Sequence, residues 1–475
     1  MKFRFFHHLL LLGIFSLFTV RLFATNLDHS NDSITIDRII IIGNEKTREH
    51  VIIRELTLLQ GEKYTADELE FKITDSEEHL RNIELFNFVD IQQVIAYQDS
   101  NQVNLFVKLT ERWYIWPVPL IESADRNINA WWEQKNFSRL SYGMDLQLRN
   151  FRGRRETLHL KFLTGYDQNF ALIYEIPYLK LNKKYGMNVE MSFIQNHAVH
   201  YQTLDNEALY FRLENEIVQR NFSAAWEFIY RNNIYQQHEF SVGFSHLNFN
   251  DSLIFDQPEF TFNNRSQIDY LSFRYLYKHD HRNYRSYPTK GYYFDVELKK
   301  NGIGLLQKQG LNASSVKIDA RKFWQLNPYL FLSGGVIGFV ASKDSPFFMN
   351  YGLGDLRNIV RGYENAVIDA NVYGLLKSNV KIKLFENTDT NLKITHTDKF
   401  DRMHYTFFLN VYSDLGYTQN EHTNVDFRNS FQNTWLMGYG LGLDFVTYYD
   451  KVFRLEYSMN KHGGRGVFIH FIAPV

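Results

Sequence analysis

Apolar and charged residues alternate repeatedly along the C-terminal three quarters of the chain. Leu158, Leu160 and Phe162 interleave with His159 and Lys161, and Phe294, Val296 and Leu298 with Asp295, Glu297 and Lys299. Val316, Ile318 and Ala320 oppose Lys317, Asp319 and Arg321; Val380, Ile382 and Leu384 oppose Lys381 and Lys383; Phe453, Leu455 and Tyr457 oppose Arg454 and Glu456. A period of two predicts strands with one apolar and one charged face. It does not say which face meets water, because sandwiches, propellers and membrane barrels all alternate in this way. The polar stretches 195–206 and 420–433 read as loops.

The first hundred residues follow another pattern. Ile34 to Ile42 is a β-branched run closed by Gly43-Asn44, which predicts a strand and a turn. Thr47 is placed to cap a helix carrying Val51, Ile52 and Leu56, and Gly61 to stop it. Thr65 with Glu68 forms a capping box before a second helix whose Leu69, Ile73 and Leu80 share a face. Phe88 to Tyr97 and Gln102 to Glu111 flank Gln98-Asp99-Ser100-Asn101 and predict a hairpin. The order is strand, helix, helix, strand, strand.

Composition sharpens this picture. The 52 Lys and Arg nearly cancel the 53 Asp and Glu, so no basic field exists for nucleic acid, which is excluded as a partner. There are 41 Phe and 30 Tyr in a chain whose mean hydropathy is −0.36, a mixture suited to strands with one wet and one greasy face. The absence of cysteine excludes disulfides, thiolate metal sites and cysteine nucleophiles. Residues 1–24 have the layout of a signal peptide: Lys2 and Arg4, an apolar run from Leu9 to Val20, and Ala24. That run is shorter than the ~20 residues a helix needs to cross a bilayer, so any membrane crossing falls to strands.

Candidate chemistry is sparse. His197 and His200 stand three apart in a polar stretch with no third ligand, and read as loop histidines. There is no G-x-S-x-G, H-E-x-x-H or phosphate-binding loop, and Gly463-Gly464-x-Gly466 precedes a strand and reads as a turn. No catalytic residue, metal site or cofactor is expected.

The segment from 34 to 111, with Ile39-x-x-x-Gly43-Asn44, Gly61 and Leu85-Phe86-x-Phe88-Val89, resembles a POTRA domain. Asn150-Phe151-x-Gly153, Tyr174-x-Ile176-Pro177-Tyr178 and Tyr287-Pro288-x-x-Gly291-Tyr292 resemble the strand and turn elements of the BamA/TamA-type outer-membrane assembly barrels, also called bacterial surface antigens. Gly352-x-Gly354 followed by Val360-Arg361-Gly362-Tyr363 resembles that family's V-R-G-[FY] loop, and Tyr412-Ser413-Asp414-Leu415-Gly416 its late aromatic-x-Asp-x-Gly strand. The resemblance implies a mostly β protein. A signal peptide (1–24) and linker (25–33) would precede a small α+β POTRA domain (34–111) and a transmembrane antiparallel β-barrel (112–475), of sixteen strands by family count. It also implies that the loop folds into the barrel and that Arg361 meets Tyr412 and Asp414. The family typically has Phe where Tyr412 stands, so here a hydroxyl needs a partner if buried.

Pro117 and Pro119 fall in the expected first barrel strand, Trp113 to Glu122. Residues two apart turn their amides to the same edge, so that edge would lack two ladder donors. Either it faces the expected last strand, Gly466 to Ile472, in a weak closing seam, or the prolines end a linker. The chain ends Phe471-Ile472-Ala473-Pro474-Val475, departing from the family's terminal Phe. The resemblance implies an outer-membrane protein with its POTRA domain in the periplasm, acting on unfolded outer-membrane or secreted proteins, in contact with outer-membrane lipid and accessory assembly proteins. Assembly and insertion is the leading expectation. A dedicated secretion pore is the second, and an outer-membrane lipase-type enzyme a distant third for which no Ser/His pair stands out.

Overall fold

The computed structural model describes residues 33–96, 99–123, 140–179, 184–213, 215–304, 310–343, 345–349, 352–353, 358–391, 398–420 and 429–471. The expected signal peptide, Gly354 and the last four residues lie outside them.

The small domain comprises β1 (Ile34–Ile42), α1 (Glu49–Ile53), β2 (Lys63–Tyr64), α2 (Ala66–Asn82), β3 (Phe86–Ala96) and β4 (Asp99–Glu111). Its sheet runs β2-β1-β4-β3, with β1 parallel to β4 at the centre and β3 on an edge. Val51, Ile52, Leu80, Phe86 and Val107 pack the helices onto it. Thr65 caps α2 by accepting the Glu68 amide. Thr47 does not cap α1: the capping position is Arg48, and Gly61 lies well beyond the helix end, its amide bonded to the Ile36 carbonyl. The Thr47 hydroxyl is used elsewhere, as described below. β4 begins at Asp99, within the polar run expected to form the hairpin turn, and residues 97–98 lie outside the described residues.

Sixteen of the remaining twenty strands form one antiparallel sheet. In order of pairing they begin β5 (Ile115–Ser123), β6 (Leu140–Phe151), β7 (Glu156–Gly165), β8 (Gln168–Ile176) and β9 (Tyr185–Asn196). A separate hairpin, β10 (Ala198–Leu204) with β11 (Glu207–Arg212), then leaves the sheet. The sheet resumes with β12 (Gln219–Arg231), β13 (Gln236–Phe249), β14 (Gln267–Asp280), β15 (Gly291–Asn301), β16 (Ala313–Gln325) and β17 (Leu330–Ala341). After a two-residue pair, β18 (Gly352–Leu353) with β19 (Ile368–Asp369), it ends with β20 (Val372–Asn391), β21 (Arg402–Gln419), β22 (Trp435–Thr447), β23 (Lys451–Asn460) and β24 (Arg465–His470).

The stretch expected to be a loop at 195–206 is therefore mostly strand: its alternating Val199, Tyr201 and Thr203 belong to β10, which pairs with β11. Of the other expected loop, residues 421–428 lie outside the description, while Asn429 and Gln432 are buried. The β10–β11 hairpin and the helical turns at 251–264 cover one end of the sheet with an apolar cluster containing Val218, Phe249, Leu253 and Phe260.

The faces divide consistently. Val316, Ile318, Val380, Leu384, Phe453 and Leu455 are exposed outside, whereas Asp319, Lys381, Arg454 and Glu456 are buried inside. This is an inside-out arrangement, in which the apolar face of each strand has no protein partner and the charged faces meet in the lumen. The start of the first strand comes round to the late part of the sheet, since Trp116 on β5 lies edge-on to Tyr449 of the β22–β23 turn at 5.3 Å.

Candidate functional site

Three features of the barrel bear on function: a clasp in the lumen, the joint with the small domain, and the unpaired edges of the first and last strands.

The loop between β18 and β19 enters the lumen from the end remote from the small domain. Val360, Arg361 and Tyr363 are buried there, with Arg361 wholly enclosed. Its Nε donates to Asp414 Oδ2 at 2.8 Å and its Nη2 to Asp414 Oδ1 at 2.5 Å, a two-point pair matched to the carboxylate's shape. The Arg361 amide reaches the same Oδ2 at 3.1 Å, and Nη1 donates to Asn379 at 2.7 Å. The guanidinium lies over the Tyr412 ring at 3.7 Å, and the Tyr412 hydroxyl pairs with Ser458 at 2.5 Å. The structure thus brings Arg361, Tyr412 and Asp414 together, and supplies the partner that the extra hydroxyl needs.

Glycine makes this approach possible. Gly438 and Gly440 on β22 stand directly opposite Asp414 and Tyr412. A Cβ at Gly438 would meet the Arg361 carbonyl oxygen at 1.6 Å, and one at Gly440 the Tyr412 hydroxyl at 2.5 Å. Gly362 turns the loop with φ +95°. The alternating run Gly438, Gly440, Gly442 is a legible signal that the sequence reading passed over. It marks a strip of wall without side chains, where another segment can lie against the backbone. The same reading also missed the clasp's wider circle. Arg454 makes its own two-point pair with Asp444 at 2.6 and 2.7 Å, and Asp444 accepts from Tyr287 at 2.6 Å. Tyr287, from the Tyr287-Pro288 motif, is buried against Phe331, Phe408, Val446 and Val452, with Lys381 4.1 Å above its ring.

The small domain is seated on the barrel turns. Thr47 is held between Tyr114, 3.2 Å away, and Asn150, 2.9 Å away, and the Arg48 amide donates to the Gly153 carbonyl at 3.0 Å. This gives the Asn150-Phe151-x-Gly153 motif its place: a Cβ at Gly153, φ +73°, would lie 2.2 Å from the Lys46 carbonyl oxygen. Asn82 donates to the carbonyls of Arg282 and Asn283, both at 3.2 Å, and accepts the Arg285 amide at 2.9 Å. Glu55 is buried against Arg54 at 3.2 Å and Arg155 at 3.6 Å, and accepts the Tyr178 hydroxyl at 3.1 Å. Arg54 stacks on the Tyr178 ring at 3.4 Å. Burial brings Arg54 down to about 10, so it remains a cation at neutral pH.

Burial by itself would raise the Glu55 carboxyl. Arg155, Arg54 and Arg231, with the Tyr178 hydroxyl, outweigh it and hold the carboxyl below the ordinary glutamate range. A carboxyl depressed in the folded state contributes stability above its unfolded value, and that contribution is lost as pH falls through the depressed folded value. Hydrogen exchange of the Arg54 to Leu56 amides is therefore expected to rise below about pH 4.5 in the wild type. In Glu55→Gln it should already be raised at pH 7 and change little on acidification; identical pH profiles would refute the assignment.

At the seam, the Tyr114 carbonyl accepts from the Arg149 amide at 2.8 Å, which fixes the register of β5 on β6. Trp116, Val118 and Leu120 therefore form the hydrogen-bonded pairs with β6, and the residues between them turn their amides to the free edge. Pro117 and Pro119 both occupy such positions, within a strand rather than in a linker. The Trp113 indole, just before the strand, donates to the Ile115 carbonyl. At the other end of the sheet β24 is short and pairs only with β23. Among the described residues no backbone ladder joins β5 to β24.

His197 packs on Tyr166 and lies 3.4 Å from Asp167, while the His200 ring bonds to the Gln202 carbonyl at 2.9 Å; the two belong to different local contacts.

Comparison with known proteins matches two family descriptions. Residues 34–112 match the POTRA description, "Surface antigen variable number repeat", and residues 150–447 match the Omp85 superfamily domain. A stretch of 89 residues is 28% identical to the outer membrane protein assembly factor BamA of Nitratidesulfovibrio vulgaris, covering 19% of this chain and 11% of that protein's length. CdiB from Escherichia coli has the same fold at 10% identity, with a TM-score of 0.52 over 92% of this chain and 75% of that one. The structure of Haemophilus ducreyi BamA lacking POTRA domains 1–3 aligns over 92% of this chain and 83% of that one, at 14% identity and a TM-score of 0.48. Since the superfamily domain spans more than half of its residues, the chain belongs to the Omp85 superfamily, non-enzymatic outer-membrane barrels whose POTRA domains lie in the periplasm.

Proposed function

We propose that this protein inserts other proteins into the outer membrane, with residues 34–111 receiving an unfolded client and the β5–β24 seam accepting its strands. The observation that carries the proposal is the seam. Among the described residues β5 and β24 end the sheet and each has an edge without a ladder, and that of β5 is short of donors at Pro117 and Pro119. An unpaired edge is a template for another strand, which binds through its backbone whatever its side chains. The exposed edge strand β3, with Val94 and Ile95 outward, offers the small domain a similar means of holding an extended chain. The lumen is a less favourable route by comparison, since the Arg361 loop is buried inside it.

The chain has no cysteine of its own, so introduced pairs report cleanly. Ile121→Cys combined with Val467→Cys or Ile469→Cys places thiols on outward-facing positions of the two edges. Oxidation is expected to cross-link them and stop client insertion, with recovery on reduction. Full activity while cross-linked would refute the seam route. Pro117→Val with Pro119→Val restores two donors of about 1 kcal/mol each, and should slow insertion without lowering the barrel's stability. Depletion followed by quantification of the outer-membrane proteome separates the readings. A broad loss of barrels supports insertion, and the loss of one secreted protein supports a dedicated pore instead.

A further inference from the structure

Beside the Arg361 clasp, three side chains converge from three elements: Glu364 from the inserted loop, Glu456 from β23 and His470 from the end of β24. The two glutamates are oriented by their other contacts. Glu364 Oε2 accepts the Gly362 amide at 2.7 Å, which leaves Oε1 to face the other two residues. Glu456 Oε1 lies 3.5 Å from Arg361 and 3.6 Å from Arg454, which leaves Oε2. His470 Nε2 is 3.2 Å from that Glu456 oxygen and 3.9 Å from Glu364 Oε1. The Glu456 side chain is fully buried and that of His470 is 8% exposed. None of the three facing atoms has a hydrogen-bond partner.

Two carboxylate oxygens and an imidazole nitrogen directed at one another in a buried place lack a positive centre between them. Zn²⁺ binds His nitrogen and carboxylate oxygen at about 2.0–2.2 Å in a tetrahedron, which sets its ligand atoms about 3.4 Å apart. The two distances to His470 bracket that spacing. We propose that Glu364, Glu456 and His470 form a three-ligand site for a divalent transition-metal ion of the Zn²⁺ class, with water in the fourth position. The placement gives the ion a mechanical consequence. It ties the inserted loop and β23 to β24, the strand whose other edge is unpaired, so the loaded protein holds its last strand more firmly than the metal-free one.

The test uses full-length protein, folded in detergent, stripped with chelator and carrying no histidine tag. Titrated Co²⁺ is expected to produce the intense visible bands of tetrahedral cobalt at one equivalent, and Zn²⁺ to abolish them. His470→Ala and Glu364→Gln should each weaken binding at least tenfold while the barrel keeps its heat-modifiable migration on gels. In Glu364→Gln the side-chain carbonyl oxygen can still accept the Gly362 amide, so this variant leaves the loop's own turn in place. Absence of the bands from the wild type overturns the proposal whether or not the variants fold, and so does equal binding by wild type and folded variants.

Discussion

Arg361→Ala is expected to be the most damaging single substitution in the barrel. The side chain is wholly buried and bonded to Asp414 and Asn379, so its removal leaves a carboxylate enclosed without its main partner. Breaking one side of such a pair costs about 3–5 kcal/mol, and loss of the stacking on Tyr412 adds to this. The loop should leave the lumen, and chemical unfolding of the barrel should shift to markedly lower denaturant. Arg361→Lys is expected to recover only part of the loss, because an ammonium cannot reproduce the two-point fit to Asp414. The decisive comparison is the double variant Arg361→Ala with Asp414→Ala, in which no orphaned carboxylate remains at that position. Its cost should fall well short of the sum of the two single costs. Additive costs would mean that the two residues do not act as a pair.

A second large effect is expected at Arg112, which sits between the last strand of the small domain and the first of the barrel. Its Nε donates to the Phe86 carbonyl at 2.9 Å, and its two terminal nitrogens engage both oxygens of Asp450, to which Tyr284 also donates. One side chain thus ties the start of β3 to two periplasmic turns of the barrel. Arg112→Ala leaves Asp450 nearly buried with only the tyrosine hydroxyl, a loss of about 3–5 kcal/mol that falls on the joint rather than on either core. Hydrogen exchange should rise at residues 46–48, 82–87 and 283–285, which make the interdomain hydrogen bonds, while the central strands of the barrel stay protected. Unchanged protection at the joint would refute the assignment, and a collapse of protection throughout would show that the joint and the barrel unfold together.

Much of this was legible from residues alone because it depends on local spacing. Thr65 with Glu68 marks the start of α2, and alternation marks the barrel strands, since both patterns follow from the geometry of single elements. The pairing of Arg361 with Tyr412 and Asp414 was reached by resemblance, not by geometry, because some fifty residues and several strands separate them. Thr47 shows the opposite outcome. Its sequence context is that of a helix cap, yet its hydroxyl is occupied by Tyr114 and Asn150, more than sixty residues away. The hairpin β10–β11 was hidden because His200, Gln202 and Thr203 interrupt the apolar residues of its first strand, and its strands pair only with each other.

Read alone, the chain pointed to export, excluded cysteine chemistry and marked strands with one charged and one apolar face. It left open which face would meet water. The fold turns the charged faces inward, where Lys381 meets Tyr287, Arg454 meets Asp444 and Glu456 meets Arg361 of the inserted loop, while Val380, Phe453 and Leu455 face outward, where lipid and not protein must cover them. It also gave Pro117 and Pro119 their meaning. Two missing amides are a property of the chain, but whether they weaken anything depends on which edge they occupy, and the pairing of β5 with β6 through Tyr114 turns them to the side where no ladder forms.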